Sequence, residues 1–217
     1  MNNTFCSSDS LQNTNCFIYR SKEFPFNLQS ASIISPKINR NQETMMKDIK
    51  IPLIEKDENK IKISENCIND FISILKIQNV DITNDNAAGL NYLAKEYEIE
   101  QLQKKTDKHI LDHNELLLKV YSIKIFDDDE NNDKYEEVIS QRLIEFIDDV
   151  DLYDLPISSL HRIFSKSKEK KIINDDLQFK FLFNCLDKYC RPASSLFENV
   201  DFGNKKEEYF NKFNNEK

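Results

Sequence analysis

The chain has 217 residues, 39% of them hydrophobic, and sets 30 Lys and Arg against 38 Asp and Glu for a formal net charge of -8 at pH 7. An acidic surface repels phosphate backbones, which argues against nucleic acid as a partner, while 15 Phe and 8 Tyr in periodic segments argue for a folded chain. The two glycines, Gly89 and Gly203, stand apart from any glycine-rich loop, which excludes the phosphate-cradling loops of nucleotide-binding proteins.

Residues 1–15 are polar and rich in Ser and Asn, so they read as a disordered N-terminus, and they carry no apolar block of the kind that marks a secretory leader. The longest aliphatic run, residues 116–118, is far too short to span a bilayer. From Cys16 the pattern alternates. Phe17, Tyr19, Phe24 and Phe26 share one face of an expected hairpin, with Ser21, Lys22 and Glu23 as its turn. Residues 31–38 read as a short helix or turn containing Ser35-Pro36, followed by a polar stretch at 39–47. Two more short strands are expected at 49–54 and 60–63.

After Ser64 the period becomes helical, with Ile68, Phe71, Ile72 and Leu75 on one face. Thr83 or Asn84 is expected to cap the next helix, which carries Ala87, Leu90, Leu93, Ala94 and Tyr97. Ile99, Leu102 and Ile110 open another, with Leu116, Leu117, Val120 and Tyr121 following. The charge run 127–133 is expected to be a loop. Beyond it, Val138, Ile139, Leu143, Phe146 and Ile147 form a stripe, and Pro156 fits the first turn of a helix with Leu160, Ile163 and Phe164. Asn174 or Asp175 caps a long helix bearing Leu177, Phe181, Leu182, Cys185 and Leu186. In the polar tail, Tyr209, Phe210 and Phe213 are expected to dock on the body.

His109 and His113, four apart, suit zinc by spacing, but no glutamate stands between them as in metalloproteases and no third ligand is evident, so a solvated helix surface is the better reading. The acidic run has no glycine at the sixth position of a calcium loop, where Asn132 sits, and no glutamate at the twelfth, where Val138 sits. Asp148, Asp149 and Asp151 read as a solvated helix end rather than an acid–base pair, and Ser35 has no nucleophile elbow around it. The five cysteines, Cys6, Cys16, Cys67, Cys185 and Cys190, form no CxxC pair and read as reduced thiols, Cys185 as a core residue. No catalytic, metal or cofactor residue is expected, nor a membrane partner. The location expected is cytoplasmic or nuclear, not secreted.

The order hairpin, short helix, further strand, packed helices resembles the BTB (POZ) fold from Phe17 onward. Residues 22–26, KEFPF, resemble that family's second hairpin strand. Ser35-Pro36-Lys37-Ile38 resembles the close of its first helix, and Phe71 the phenylalanine of the helix after its sheet. The clearest stretch is DITNDNAAGLNYLAKEYEIEQLQKKTDKH, residues 81–109, with Asn86, Leu90, Leu93, Ala94, Ile99 and Leu102 at the signature positions. Phe146, Leu152, Leu155-Pro156-Ile157, Leu160, Ile163 and the helix around 179–186 resemble the BACK segment that often follows. The resemblance implies an α+β fold, a BTB-like small sheet with a helical cluster at 16–110, then an all-α BACK-like segment at 111–200 and a polar tail at 201–217. It implies a non-enzymatic protein–protein interaction module, an adaptor or self-associating scaffold with protein partners, a homodimer among them. Two alternatives stand beside it: a substrate adaptor of cullin-RING ubiquitin ligases, and a helical enzyme of another class. BTB domains commonly pair through the N-terminal strand and first helix, which carries the interface onto Phe17, Tyr19, Phe24, Phe26, Ile33, Ile34 and Ile38. These side chains concentrate apolar surface in one short stretch, either as a surplus left exposed for a partner or as filling for the domain's own core.

Overall fold

A computed structural model describes residues 14–41, 50–52, 63–125, 132–189 and 196. The expectations for the N-terminal residues up to 13, for 60–62, for most of the acidic run and for the C-terminal tail lie outside the described residues. The chain divides into two compact units, Met1–Leu116 and Leu117–Lys217.

The first unit opens with an antiparallel hairpin, β1 (Thr14–Tyr19) and β2 (Lys22–Asn27), in which Phe17 stands opposite Phe24 and Tyr19 opposite Lys22. Its turn is Arg20-Ser21, both at positive φ, rather than the three residues 21–23. Register explains the difference. A turn at 21–23 would set Phe26 against Ile18 and split the aromatic face, whereas a two-residue turn keeps Phe17, Tyr19, Phe24 and Phe26 together. β3 (Lys50–Pro52) lies parallel to β1, giving the sheet order β2-β1-β3. Pro52 sits on an edge strand, where a missing N–H is tolerated.

Between β2 and β3 run α1 (Leu28–Ile34) and α2 (Pro36–Arg40). The side chain of Asn27 caps α1 by accepting the Ser30 N–H at 3.0 Å. Pro36 forces the break between the helices, because the residue before a proline avoids helical geometry, and Ser35 is extended at φ -110° and ψ 114°. Among the described residues every strand lies before Ser64 and the chain after it is helical.

α3 (Glu65–Leu75) is capped by Ser64, whose Oγ accepts the Cys67 N–H, and it buries Ile68, Phe71, Ile72 and Leu75 as its spacing requires. α4 (Ala87–Glu96) and α5 (Glu100–Asp112) form a helical hairpin in which Leu93 and Ala94 are fully buried. The residue at the N-cap of α4 is Asn86, not Thr83 or Asn84. Its side chain is spent elsewhere, accepting the Thr83 N–H and donating to Asp70 Oδ2 and the Asp81 carbonyl. The core of this unit joins the hairpin aromatics to α1 through α5. Phe17 stacks on Phe26 at 4.2 Å between ring centroids, and Tyr97 meets both Phe17 and Phe71 at 5.3 Å.

α6 (Asn114–Ile125) runs across the division. The second unit continues with α7 (Asp133–Gln141), the short α8 (Leu143–Phe146), a 3₁₀ turn (Val150–Asp154), α9 (Ile157–Glu169) and α10 (Asp175–Tyr189). Arg142 interrupts the expected stripe, and Val138 is only half-buried while Ile139, Leu143, Phe146 and Ile147 are buried. Pro156 stands one position before α9, at its N-cap, and Asn174 caps α10 by accepting the Leu177 N–H at 2.9 Å. Phe164 stacks on Phe181 at 5.1 Å, and Tyr153 and Leu182 are buried with them. No helix among the described residues is long and apolar enough to cross a membrane.

Candidate functional site

The seven residues expected at an interface separate. Phe17, Tyr19, Phe24, Phe26 and Ile38 are buried in the first unit's own core, so of the two readings left open for them these five fill the core rather than lie exposed. One face of the hairpin carries all four aromatics, and the chain's own α1, α3 and α4 supply enough apolar area to cover it. Ile34 is partly buried against that core. Ile33 points away from it and is 74% exposed.

His109 lies in the last turn of α5 and His113 is its C-cap, just past the helix. The rings are stacked with centroids 4.1 Å apart. His109 Nε2 contacts Asn84 Oδ1 at 2.9 Å and His113 Nδ1 contacts the His109 carbonyl at 2.7 Å. Burial, then the neighbouring His113, lowers the His109 pKa from its ordinary value, against the pull of Asp112. No group of three or more His, Cys, Asp and Glu suited to a metal ion occurs among the described residues.

The three aspartates after α8 do not converge. Asp148 pairs with Lys180, Asp149 accepts the Asp151 N–H at the start of the 3₁₀ turn, and Asp151 is exposed. Cys185 is buried and its thiol is pushed up to about 12 by burial. Cys67 is buried between α3 and α4 and is pushed up to about 12 by burial and then by Asp70. Neither thiol is a nucleophile near neutral pH.

Two polar assemblies escaped the sequence reading. In the first unit an open polar groove lies between α3 and the connector to α4, lined by Asp70, Asp81, Asp85 and the Asn86 hub. In the second unit the carboxylate of Glu136 is almost fully buried. Oε1 accepts from Tyr121 at 2.6 Å and from Arg162 Nε at 2.8 Å, and Oε2 pairs with Lys166 at 3.1 Å. Arg162 also donates to Ser159, and Lys166 also reaches Asp133 at 2.8 Å. Burial opposes the charge on Lys166, but Asp133 and Glu136 outweigh it and hold its pKa above the ordinary value. Burial pushes the Tyr121 hydroxyl pKa up, and the bond to Glu136 adds to this. The signal was present in sequence as Asp133, Glu136 and Glu137 on one helix and Arg162, Lys166 and Lys170 at four-residue spacing on another. The chain matches no protein-family model and is similar to none of the curated proteins.

Proposed function

We propose that the chain is a non-enzymatic protein-interaction module, a BTB-like domain followed by a BACK-like helical segment, acting as an adaptor or self-associating scaffold. The observation that carries this reading is the order of elements in the first unit. A hairpin, two short helices, a third strand beside β1 and then three packed helices follow one another, with the strands ordered β2-β1-β3. The resemblance at residues 17–38 and 81–109 implies a hairpin, a short helix, a further strand and then packed helices, and the succession of elements supports that reading. Fold likeness alone does not assign a partner, so the exposed Ile33 on α1 supplies the handle for testing association.

Light scattering on the full chain across micromolar concentrations is the test. Self-association that weakens in Ile33→Glu, with thermal stability unchanged because the side chain is exposed, supports the reading. A strict monomer that also captures no partner through residues 16–110 overturns it.

A further inference from the structure

The geometry points to an acid-sensitive latch between the end of α5 and the turn that precedes α4, formed by the stacked pair His109–His113 and its tether Asn84. Asn91 of α4 bonds Thr106 and Asp107 of α5, and the end of α5 lies beside the turn that precedes α4. At this end His109 reaches back 25 residues to Asn84 at 2.9 Å. Since Asn84 offers an oxygen, the His109 Nε2–H donates. His113 donates from Nδ1 to the carbonyl of His109 at 2.7 Å, capping the last turn of α5. Each ring therefore keeps one nitrogen lone pair open to a proton.

One proton is compatible with the stack. A cation on a π face is attracted, and a helix C-terminus favours positive charge. A second proton sets two cations against each other with ring centroids 4.1 Å apart. Among the described residues, the charged groups that act on His109 are His113 and Asp112, both from its own helix end, and from the turn before α4 it meets the neutral amide of Asn84. The single carboxylate does not neutralise two imidazolium rings. The rings separate, His109 leaves Asn84, and the turn at 84–86 loosens. Asn86 stays bonded to Asp70, so the opening is local and reversible. The lowered pKa of His109 runs in the same direction: its contribution is present at neutral pH and lost as pH falls through the folded-state value.

The test is a titration of the full chain, following histidine ring protons by NMR. In His113→Gln the proton affinity of His109 is expected to rise about fivefold as the facing charge is removed. Hydrogen-exchange protection at residues 84–86 is expected to fall between about pH 7.5 and about pH 5, the histidine range. In Asn84→Ala, which leaves both rings in place, that protection is expected to be low at both pH values. An identical His109 titration with and without the His113 ring, or protection at 84–86 that does not change with pH, overturns the latch.

Discussion

Ser35 donates a 2.7 Å hydrogen bond from its buried Oγ to the carbonyl oxygen of Tyr97, 62 residues further on. Ser35 Oγ also accepts the Ile38 N–H at 3.2 Å and so caps α2. One hydroxyl therefore ties the α1–α2 break to the end of α4, where Lys37 also pairs with Glu96 and Arg40 with Glu98.

Ser35→Ala loses both roles. A lost cap costs about 1 kcal/mol and a lost buried hydrogen bond about as much again, so urea melts should show a loss of about 2 kcal/mol. Ser32→Ala, whose hydroxyl bonds only the nearby Gln29 carbonyl on the surface, is the control and should leave the midpoint in place.

Ile77 occupies the left-handed region at φ 61° and is 62% exposed. It closes α3 in the manner of a C-terminal glycine: its N–H bonds the Ile74 carbonyl and that of Gln78 bonds the Ser73 carbonyl. Glu98 and Lys171 close α4 and α9 in the same way, at φ 57° and 55°. A branched side chain is the costliest of the three in this region. Ile77→Gly should raise stability by about 1 kcal/mol, read as a higher urea midpoint at unchanged slope. A lower midpoint would mean that the side chain makes contacts worth more than the strain.

Gly89 is needed for proximity rather than for conformation. It sits inside α4, and a Cβ there would lie 2.6 Å from Cys67 Sγ and 3.3 Å from Ile63 Cγ2. Helix propensity favours alanine by about 1 kcal/mol, but overpacking a tight core typically costs about 1–3 kcal/mol, so Gly89→Ala should destabilise on balance. Cys67→Ala in the same background removes the clashing sulfur and should recover part of the loss. A double-mutant cycle with no coupling would show that the α3–α4 contact is looser than this spacing requires.

What was legible in the sequence follows periodicity. Phe17 and Tyr19 against Phe24 and Phe26 identified the hairpin face, and Ile68, Phe71, Ile72 and Leu75 the inner side of α3, because burial enforces periods of two and 3.6. Capping was legible where one side chain had one local partner, as at Asn174, and misleading where the side chain had a distant one. Asn86 faces Asp70 and Asp81, contacts that exist only once α3 and the connector have packed. Which of the two readings of the apolar stretch holds was illegible for the same reason at larger scale. An apolar face is visible in sequence, but what covers it depends on which helices return to it. The Glu136 assembly was half legible: the charges were spaced to match, yet nothing local showed that Glu136 would be buried and Glu137 would not.

That difference between adjacent glutamates is measurable. Glu136 is buried among Tyr121, Arg162 and Lys166, whereas Glu137 pairs with Lys170 at the surface. Removing one partner of a buried ionic group leaves the others unpaired, so Glu136→Gln should cost about 3 kcal/mol. Glu137→Gln should change little, since exposed pairs are screened and entropically expensive to order. Equal effects at the two positions would contradict the burial that separates them.

The buried thiols determine how the fold responds to alkali. Cys67 and Cys185 are both pushed up to about 12, in each case first by burial, with the charge of Asp70 adding at Cys67. An unfolded cysteine ionises near pH 8.5, approximately. The folded-state value is the higher one, so each thiol contributes stability that is fully present below about pH 8.5 and is lost as pH rises toward the folded-state value. Burial pushes the Tyr121 and Tyr153 hydroxyls in the same direction, so they add to the loss at higher pH. Urea midpoints should therefore hold steady through neutral pH and decline above about pH 9, and Cys67→Ala with Cys185→Ala should flatten the first part of that decline. Near neutral pH, a thiol reagent should modify these two cysteines only as fast as the chain opens, with the rate rising in urea in step with unfolding. Rapid labelling of either in the native protein would place it at the surface and remove it from the core.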